Sequence, residues 1–267
     1  LRNGVLPAPV DPAGGATLQR PRVYSAEGTA LFTSEQRSDN SEGVIGVWDA
    51  EVGYRRYDEF PSGGVGPHDL RLMPDGDTLV VANGGIATDP TDRRKLNIAE
   101  MRPNLTFLSL AGVISDVVEL DRGLYRNSIR HLAVRSDGLV AYAMQWEGEA
   151  GAALPLVGLH RRGEAPVMAE APHLDELAMQ GYAGSVAFAG GGSEVAITSP
   201  RGGRMHRFSD AGRFLGSVSR ADICGLAPLG RGYLASDGLG GLLSVADGVP
   251  TLLDHGIHTW DNHIVAL

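Results

Sequence analysis

Apolar and polar residues alternate along this chain in short runs, the period expected of pleated strands with a buried face. The runs Thr29–Glu35, Gly43–Ala50, His68–Met73, Thr78–Gly85 and Asn104–Leu110 read as strands. So do Ile129–Arg135, Leu139–Glu147, Leu154–Arg162, Gly184–Ala189 and Glu194–Pro200. The series continues through Arg204–Asp210, Arg213–Ser219, Asp222–Leu229, Gly232–Gly238, Gly241–Asp247 and Asp261–Leu267. Val, Leu and aromatic residues dominate these runs, and Asp-Gly, Gly-Gly or similar pairs separate them as tight turns. Helical patterning is confined to His173–Gln180 and Asp92–Met101, both within insertions.

A self-similar unit underlies the alternation. Asp69-Leu70-Arg71-Leu72-Met73-Pro74-Asp75-Gly76 matches His131-Leu132-Ala133-Val134-Arg135-Ser136-Asp137-Gly138: a strand, then an Asp-Gly turn into the next strand. Copies of this frame start at Pro21, Asp69, His131, Ser185 and Gly225, with a last, unfinished one at His263, 38 to 62 residues apart. The long steps carry the insertion Ile86–Pro103 and the segment around Pro172. Four-stranded propeller blades repeat every ~40–50 residues, so the pattern predicts an all-β fold, a β-propeller, as one domain over residues 1–267. Asp261–Leu267 reads as a lone inner strand, of the kind that N-terminal strands complete in closed rings. The N-terminal strands around Val5 and Leu18 are too short to finish that blade.

Composition narrows the function classes. With 37 glycines dispersed between apolar runs, the chain is rich in turns and has no flexible tract. The net charge is -9 and no basic cluster exceeds a pair, which argues against a nucleic-acid partner. No apolar stretch approaches the ~20 residues of a membrane helix. Cys224 is the single cysteine, so neither an internal disulfide nor a Cys-rich zinc site is expected. Leu1–Gly15 has neither a basic start nor an apolar core, so no export signal is expected in these residues.

Several segments carry a family resemblance. They are Gly66-Pro67-His68-Asp69-Leu70-Arg71-Leu72, Leu79-Val80-Val81-Ala82-Asn83-Gly84-Gly85-Ile86, Ser128-Ile129-Arg130-His131-Leu132-Ala133 and Gln145-Trp146-Glu147-Gly148, followed by Thr198-Ser199-Pro200-Arg201-Gly202-Gly203 and Trp260-Asp261-Asn262-His263. In order and spacing they resemble a family of bacterial proteins with a twin-arginine signal, catalogued as domain of unknown function fifteen-thirteen. The resemblance implies a seven-bladed propeller in the periplasm, here lacking the signal and about one blade at the N-terminus. Some members lie beside iron-uptake components, and no activity is attached to the family. Pro21-Arg22 stands where the family tends to open an early blade with Gly-His.

The phase of the repeat also predicts a site. Inner-strand starts and second-strand ends open on one face around a propeller's channel, and convergent polar groups in a concavity form the default binding site. The inner-strand starts supply His68, Asp69, Arg130, His131, Ser185, Asp222, Cys224, Asn262 and His263. The second-strand ends supply Glu35, Asn83, Gln145, Ser199, Arg201 and Asp237. Three chemistries compete. His68, His131 and His263 are candidate ligands for iron, copper or zinc, or else residues that tie blades together. Arg130 and Arg201 suit a carboxylate or phosphate, or else form salt bridges to Glu35, Asp222 or Asp237. Glu35, Asn83 and Asp237 offer oxygens to calcium, as in propeller lactonases. Gly190-Gly191-Gly192 lies between strands and is a turn, and Ser199 lacks the Gly-x-Ser-x-Gly elbow of a hydrolase. The sequence therefore favours a non-enzymatic periplasmic binding protein for a small ligand, a metal or a periplasmic protein. The alternatives are a metal-dependent hydrolase and an interaction scaffold.

Overall fold

The structure is a computed structural model that describes residues 16–264, with side chains described from Arg22 onward. Among these residues the strands form five four-stranded antiparallel sheets, each built from consecutive strands. The first blade is β1 (Ala16–Tyr24), β2 (Ala30–Arg37), β3 (Glu42–Asp49) and β4 (Arg55–Val65). The second is β5 (Pro67–Leu72), β6 (Thr78–Asn83), β7 (Asn104–Ser109) and β8 (Ile114–Glu119). The third is β9 (Asn127–Val134), β10 (Val140–Trp146), β11 (Val157–His160) and β12 (Val167–Ala169). After the short helix α1 (His173–Ala178) comes the fourth, β13 (Ser185–Phe188), β14 (Glu194–Ser199), β15 (Arg204–Ser209) and β16 (Phe214–Ser219). The fifth is β17 (Ile223–Leu229), β18 (Gly232–Asp237), β19 (Gly241–Ala246) and β20 (Val249–His255).

The repeat seen in the sequence is the turn between the first two strands of a blade. In four blades it closes on a glycine with positive φ, Gly28, Gly76, Gly138 and Gly192, at +75° to +86°. Each of these N–H groups donates to the carbonyl three residues earlier, as Gly76 does to Met73 at 3.0 Å and Gly138 to Arg135 at 2.9 Å. Only glycine enters this region without steric cost, which is why the frame recurs in the sequence. Gly190 has a different reason. A Cβ there would be driven into the carbonyl oxygen of Gly230, because blades four and five touch backbone to backbone. The Gly190–Gly192 run is therefore a turn, as its position between strands implies.

Hydrophobic clusters sit between successive blades. Leu70, Leu79, Val81 and Leu108 meet Phe32, Ile45, Val47 and Phe60 between the first and second. Ile129, Leu132 and Tyr142 meet Val80, Leu105 and Phe107 between the second and third. Equivalent clusters join the third to the fourth and the fourth to the fifth. The inner strands abut in the same order, β1 on β5, β5 on β9, β9 on β13 and β13 on β17. Among the described residues no such cluster and no comparable strand packing joins β17 to β1.

Two sequence expectations change. Leu18 pairs with Glu35 inside β1, so it belongs to the innermost strand of the first blade. The strand expected at Asp261–Leu267 is absent from its described part. His263 makes one isolated parallel bridge to Leu226, and the neighbouring Asn262 side chain is held by the Tyr182 hydroxyl instead of extending a ladder. Val5 and residues 265–267 lie outside the described residues. The helical piece at His173 forms, while Asp92–Met101 yields only one 3-10 turn, Ile98–Glu100.

Candidate functional site at the channel mouth

The inner strands of all five blades line a central cavity of about 970 Å³, with Val23, Leu72, Leu132, Val186 and Leu226 on its wall together with Ile264. His131 and His263 immediately precede Leu132 and Ile264, so they stand where this apolar channel turns polar. Three imidazoles meet there. His131 lies edge-on to His68 at 4.9 Å between ring centroids, and His263 lies against the other side of His131 at 5.0 Å. Nδ1 of His68 contacts the Arg130 carbonyl at 3.0 Å, which assigns it the proton of the neutral ring. Burial pushes His68 down to about 3, and the positive charge of Arg130 adds to it. Burial does the same to His131, reinforced by His68, His263, Arg130 and Arg71.

His131 contacts both of the other rings edge to face. Among the described residues no group of three or more His, Cys, Asp or Glu side chains is arranged to hold a metal ion. For His68, His131 and His263 the structure shows mutual ring contacts rather than a metal-holding arrangement.

The oxygens considered for calcium are each engaged by neighbouring strands, Glu35 and Asp237 within their own blades and Asn83 partly across to β4 of the first blade. Glu35 is fully buried, accepts a hydrogen bond from Thr33 at 2.6 Å and pairs with Arg56 at 2.7 Å. Asn83 is fully buried and donates to the Ser62 carbonyl, Asn104 and Thr106, while accepting from the Ser62 hydroxyl at 2.7 Å. Asp237 accepts from Arg220 at 2.7 Å and from the Gly241 N–H at 2.8 Å. Burial opposes its charge, but these partners hold its carboxyl below the ordinary value. Glu35, Asn83 and Asp237 therefore complete strand ends in three different blades and form no shared cation cage.

Other predicted residues also serve the scaffold. Asp69 accepts the Leu70 N–H at 2.8 Å and the Leu132 N–H at 2.9 Å, tying β5 to β9 across blades, and burial raises its carboxyl. Ser185 accepts the Leu226 N–H at 3.2 Å and ties β13 to β17 in the same way. Ser199 donates to the Met179 carbonyl at 2.8 Å. Cys224 is buried against Ser236, and burial raises its thiol, so it offers no ready thiolate. Asp222 is exposed in the turn before β17, with φ at +54°.

The remaining residues form a second group around Tyr182. The Arg201 guanidinium lies over the Tyr182 ring, 4.3 Å from its centroid, and makes no ion pair among the described residues. Asn262 donates to the Tyr182 hydroxyl at 3.3 Å, and the Tyr182 backbone bridges to Gln145. Arg130 pairs with Glu147 at 3.6 Å, while Lys95 reaches the same Glu147 carboxylate. Nε of Arg130 is buried with no hydrogen-bond partner, and burial lowers its guanidinium. Arg130 and Arg201 thus pair with neither Glu35 nor Asp237, which belong to Arg56 and Arg220. Sequence reasoning passed over Glu147 and Tyr182. Glu147 follows the end of β10 directly, which was the available signal; Tyr182 lies in the stretch between α1 and β13, which carries no strand pattern.

The sequence matches the family described as "Protein of unknown function (DUF1513)" over residues 22–267. The chain belongs to this family. No curated protein matches it. Among solved structures it is similar to the hydrazine synthase of Kuenenia stuttgartiensis, at 14% identity and a TM-score of 0.57, over 88% of this chain and 70% of that one. It is also similar to a functionally unknown protein from Desulfotomaculum acetoxidans, at 8% identity and a TM-score of 0.58, over 88% of this chain and 68% of that one. At these identities the likeness is one of fold, in keeping with the propeller and no more. Among the described residues no helix is long and apolar enough to cross a membrane.

Proposed function

We propose that this protein is a non-enzymatic periplasmic binding propeller whose channel mouth takes a small anion, a carboxylate or phosphate, alone or as part of a metal complex. The observation that carries this reading is the pair Arg130 and Arg201 beside Tyr182. One guanidinium has a buried Nε with no partner, and the other lies over the Tyr182 ring with no ion pair among the described residues. A planar guanidinium fork suits bidentate contact with an oxyanion. Lys95 adds positive charge nearby and shares the Glu147 carboxylate with Arg130. The periplasmic setting follows the family resemblance. The calcium-hydrolase alternative lacks support here, since its oxygens are hydrogen-bonded in separate blades.

Calorimetric titration with citrate and with inorganic phosphate tests the reading. One of them is expected to bind, with an affinity that falls as salt rises. Arg201→Gln is expected to weaken it at least about tenfold, the loss of one charge-assisted contact of about 1.5–3 kcal/mol. Absence of binding by both anions, or equal affinity in Arg201→Gln, would count against the proposal.

A further inference from the structure

A second cavity, of about 780 Å³, lies away from the channel among the connections at the edge of the third blade. Its walls come from the stretch before β9 (Asp121, Leu124), the one before β11 (Leu154, Pro155), the β12 strand (Met168) and α1 (Glu176). Apolar and polar surface share that wall about equally. The volume falls within the range of small-molecule sites, about 300–1,000 Å³.

The ionisable groups on the wall are three carboxylates and His173. Asp121, Glu170 and Glu176 all line the cavity, and none forms a salt bridge among the described residues. Glu176 is the unusual one, because only 5% of its surface is exposed. Its Oε1 accepts the Ala171 N–H at 2.7 Å, and its Oε2 takes no hydrogen bond among the described residues. Burial pushes its carboxyl up to about 7, and Glu170 and Asp175 add to that rise. Beside Asp121, the fully buried Tyr142 hydroxyl also lacks a partner. A buried carboxylate is costly unless it is paired, and no cation among the described residues pairs with Glu176.

The carboxylates do not converge as metal ligands would, since no three of them are grouped to hold an ion. They are spread along a wall that also carries Leu124, Leu154 and Met168, an arrangement that fits an extended organic cation better than a point charge. We infer that this cavity binds an aliphatic ammonium compound, its charged head on Glu176 and its chain along Leu124, Leu154 and Met168.

The test uses hexylammonium, with hexanol and hexanoate as matched neutral and anionic probes, followed by ligand-observed NMR on the full chain. Hexylammonium is expected to bind, hexanol at least about tenfold more weakly, and hexanoate not at all. Glu176→Gln keeps an oxygen for the Ala171 N–H and is expected to reduce hexylammonium affinity at least about tenfold. Raising the pH from about 6 to about 8 should strengthen binding to the wild-type protein, as the carboxyl at about 7 ionises, and leave the variant flat. Charge selectivity and the pH profile read the wild-type chain alone, so they decide the matter even if the variant fails to fold. Hexanol binding as tightly as hexylammonium, a flat wild-type pH profile, or no hexylammonium binding would each overturn the assignment.

Discussion

The imidazole of His131 stands edge-on to that of His68, with centroids 4.9 Å apart and planes at 89°. The contact joins the inner strands of two blades and requires both rings to stay neutral, which sets a pH dependence. In the unfolded chain histidine titrates near ~6.5. In the folded chain His68 is held at about 3 and His131 well below its ordinary value, both chiefly by burial. Above about pH 6.5 neither state is protonated and the contribution is complete. As pH falls from there toward about 3, the unfolded state takes up protons that the folded state refuses, and stability drops. Denaturant midpoints at about pH 7.5 and 5.5 should fall more for the wild type than for His68→Gln/His131→Gln. The depressed His160 and His206 act equally in both proteins. Identical losses would show that the pair does not set the dependence.

Asp69→Ala should destabilise the junction between the second and third blades. It strips the acceptor from the Leu132 N–H and leaves that donor buried, at a cost of about 1–3 kcal/mol. Asp69→Asn, which keeps an oxygen, should lose less. Thermal melts of the three proteins give the ranking, and equal melting temperatures for the two variants would refute the cross-blade role.

Arg56→Met leaves the fully buried Glu35 without its cation, so it should cost about 3–5 kcal/mol. The double variant Glu35→Gln/Arg56→Met should recover much of that loss, since no uncompensated charge remains. Calcium should not raise the melting temperature of the wild type through Glu35, Asn83 and Asp237. A calcium-dependent rise abolished by Asp237→Asn would restore the hydrolase reading.

Gly190→Ala should be strongly destabilising, whereas Gly191→Ala should cost far less. A Cβ at 190 meets backbone of the fifth blade, while at 191 it would make only ordinary contacts, 3.7 Å or more away. Chemical denaturation of both variants reads the difference, and equal losses would show that the blades separate easily at this point.

The fold was legible from sequence wherever a strand is buried. Most second and third strands of the blades are buried on both faces, as β6 is throughout, and stand out as apolar runs whose phase the turn glycines mark. The outer strands β4, β8 and β20 escaped notice because exposure breaks up the apolar run. β20 is exposed along its whole length, and β8 is at most half-buried. That omission also explains why the site was only partly readable. Glu35 looked available as a ligand because its partner Arg56 sits on β4, and Asn83 because Ser62 sits there too. A side chain at a strand end is visible in the sequence. The residue that satisfies it comes from a neighbouring strand, and only the fold places that neighbour.

The interblade clusters run from the first blade to the fifth in chain order, with no counterpart among the described residues between β17 and β1. Energetically the molecule behaves as a row of nearest neighbours. Each blade gains from the one made before it and from the one made after it, as in stacked repeats. Every blade also completes its own hydrogen bonds from consecutive strands, so assembly can proceed from the N-terminus outward during synthesis without waiting for remote sequence. The tail at His263, reaching back to His131 across the channel, is then among the last contacts to form and acts as a latch on a finished stack.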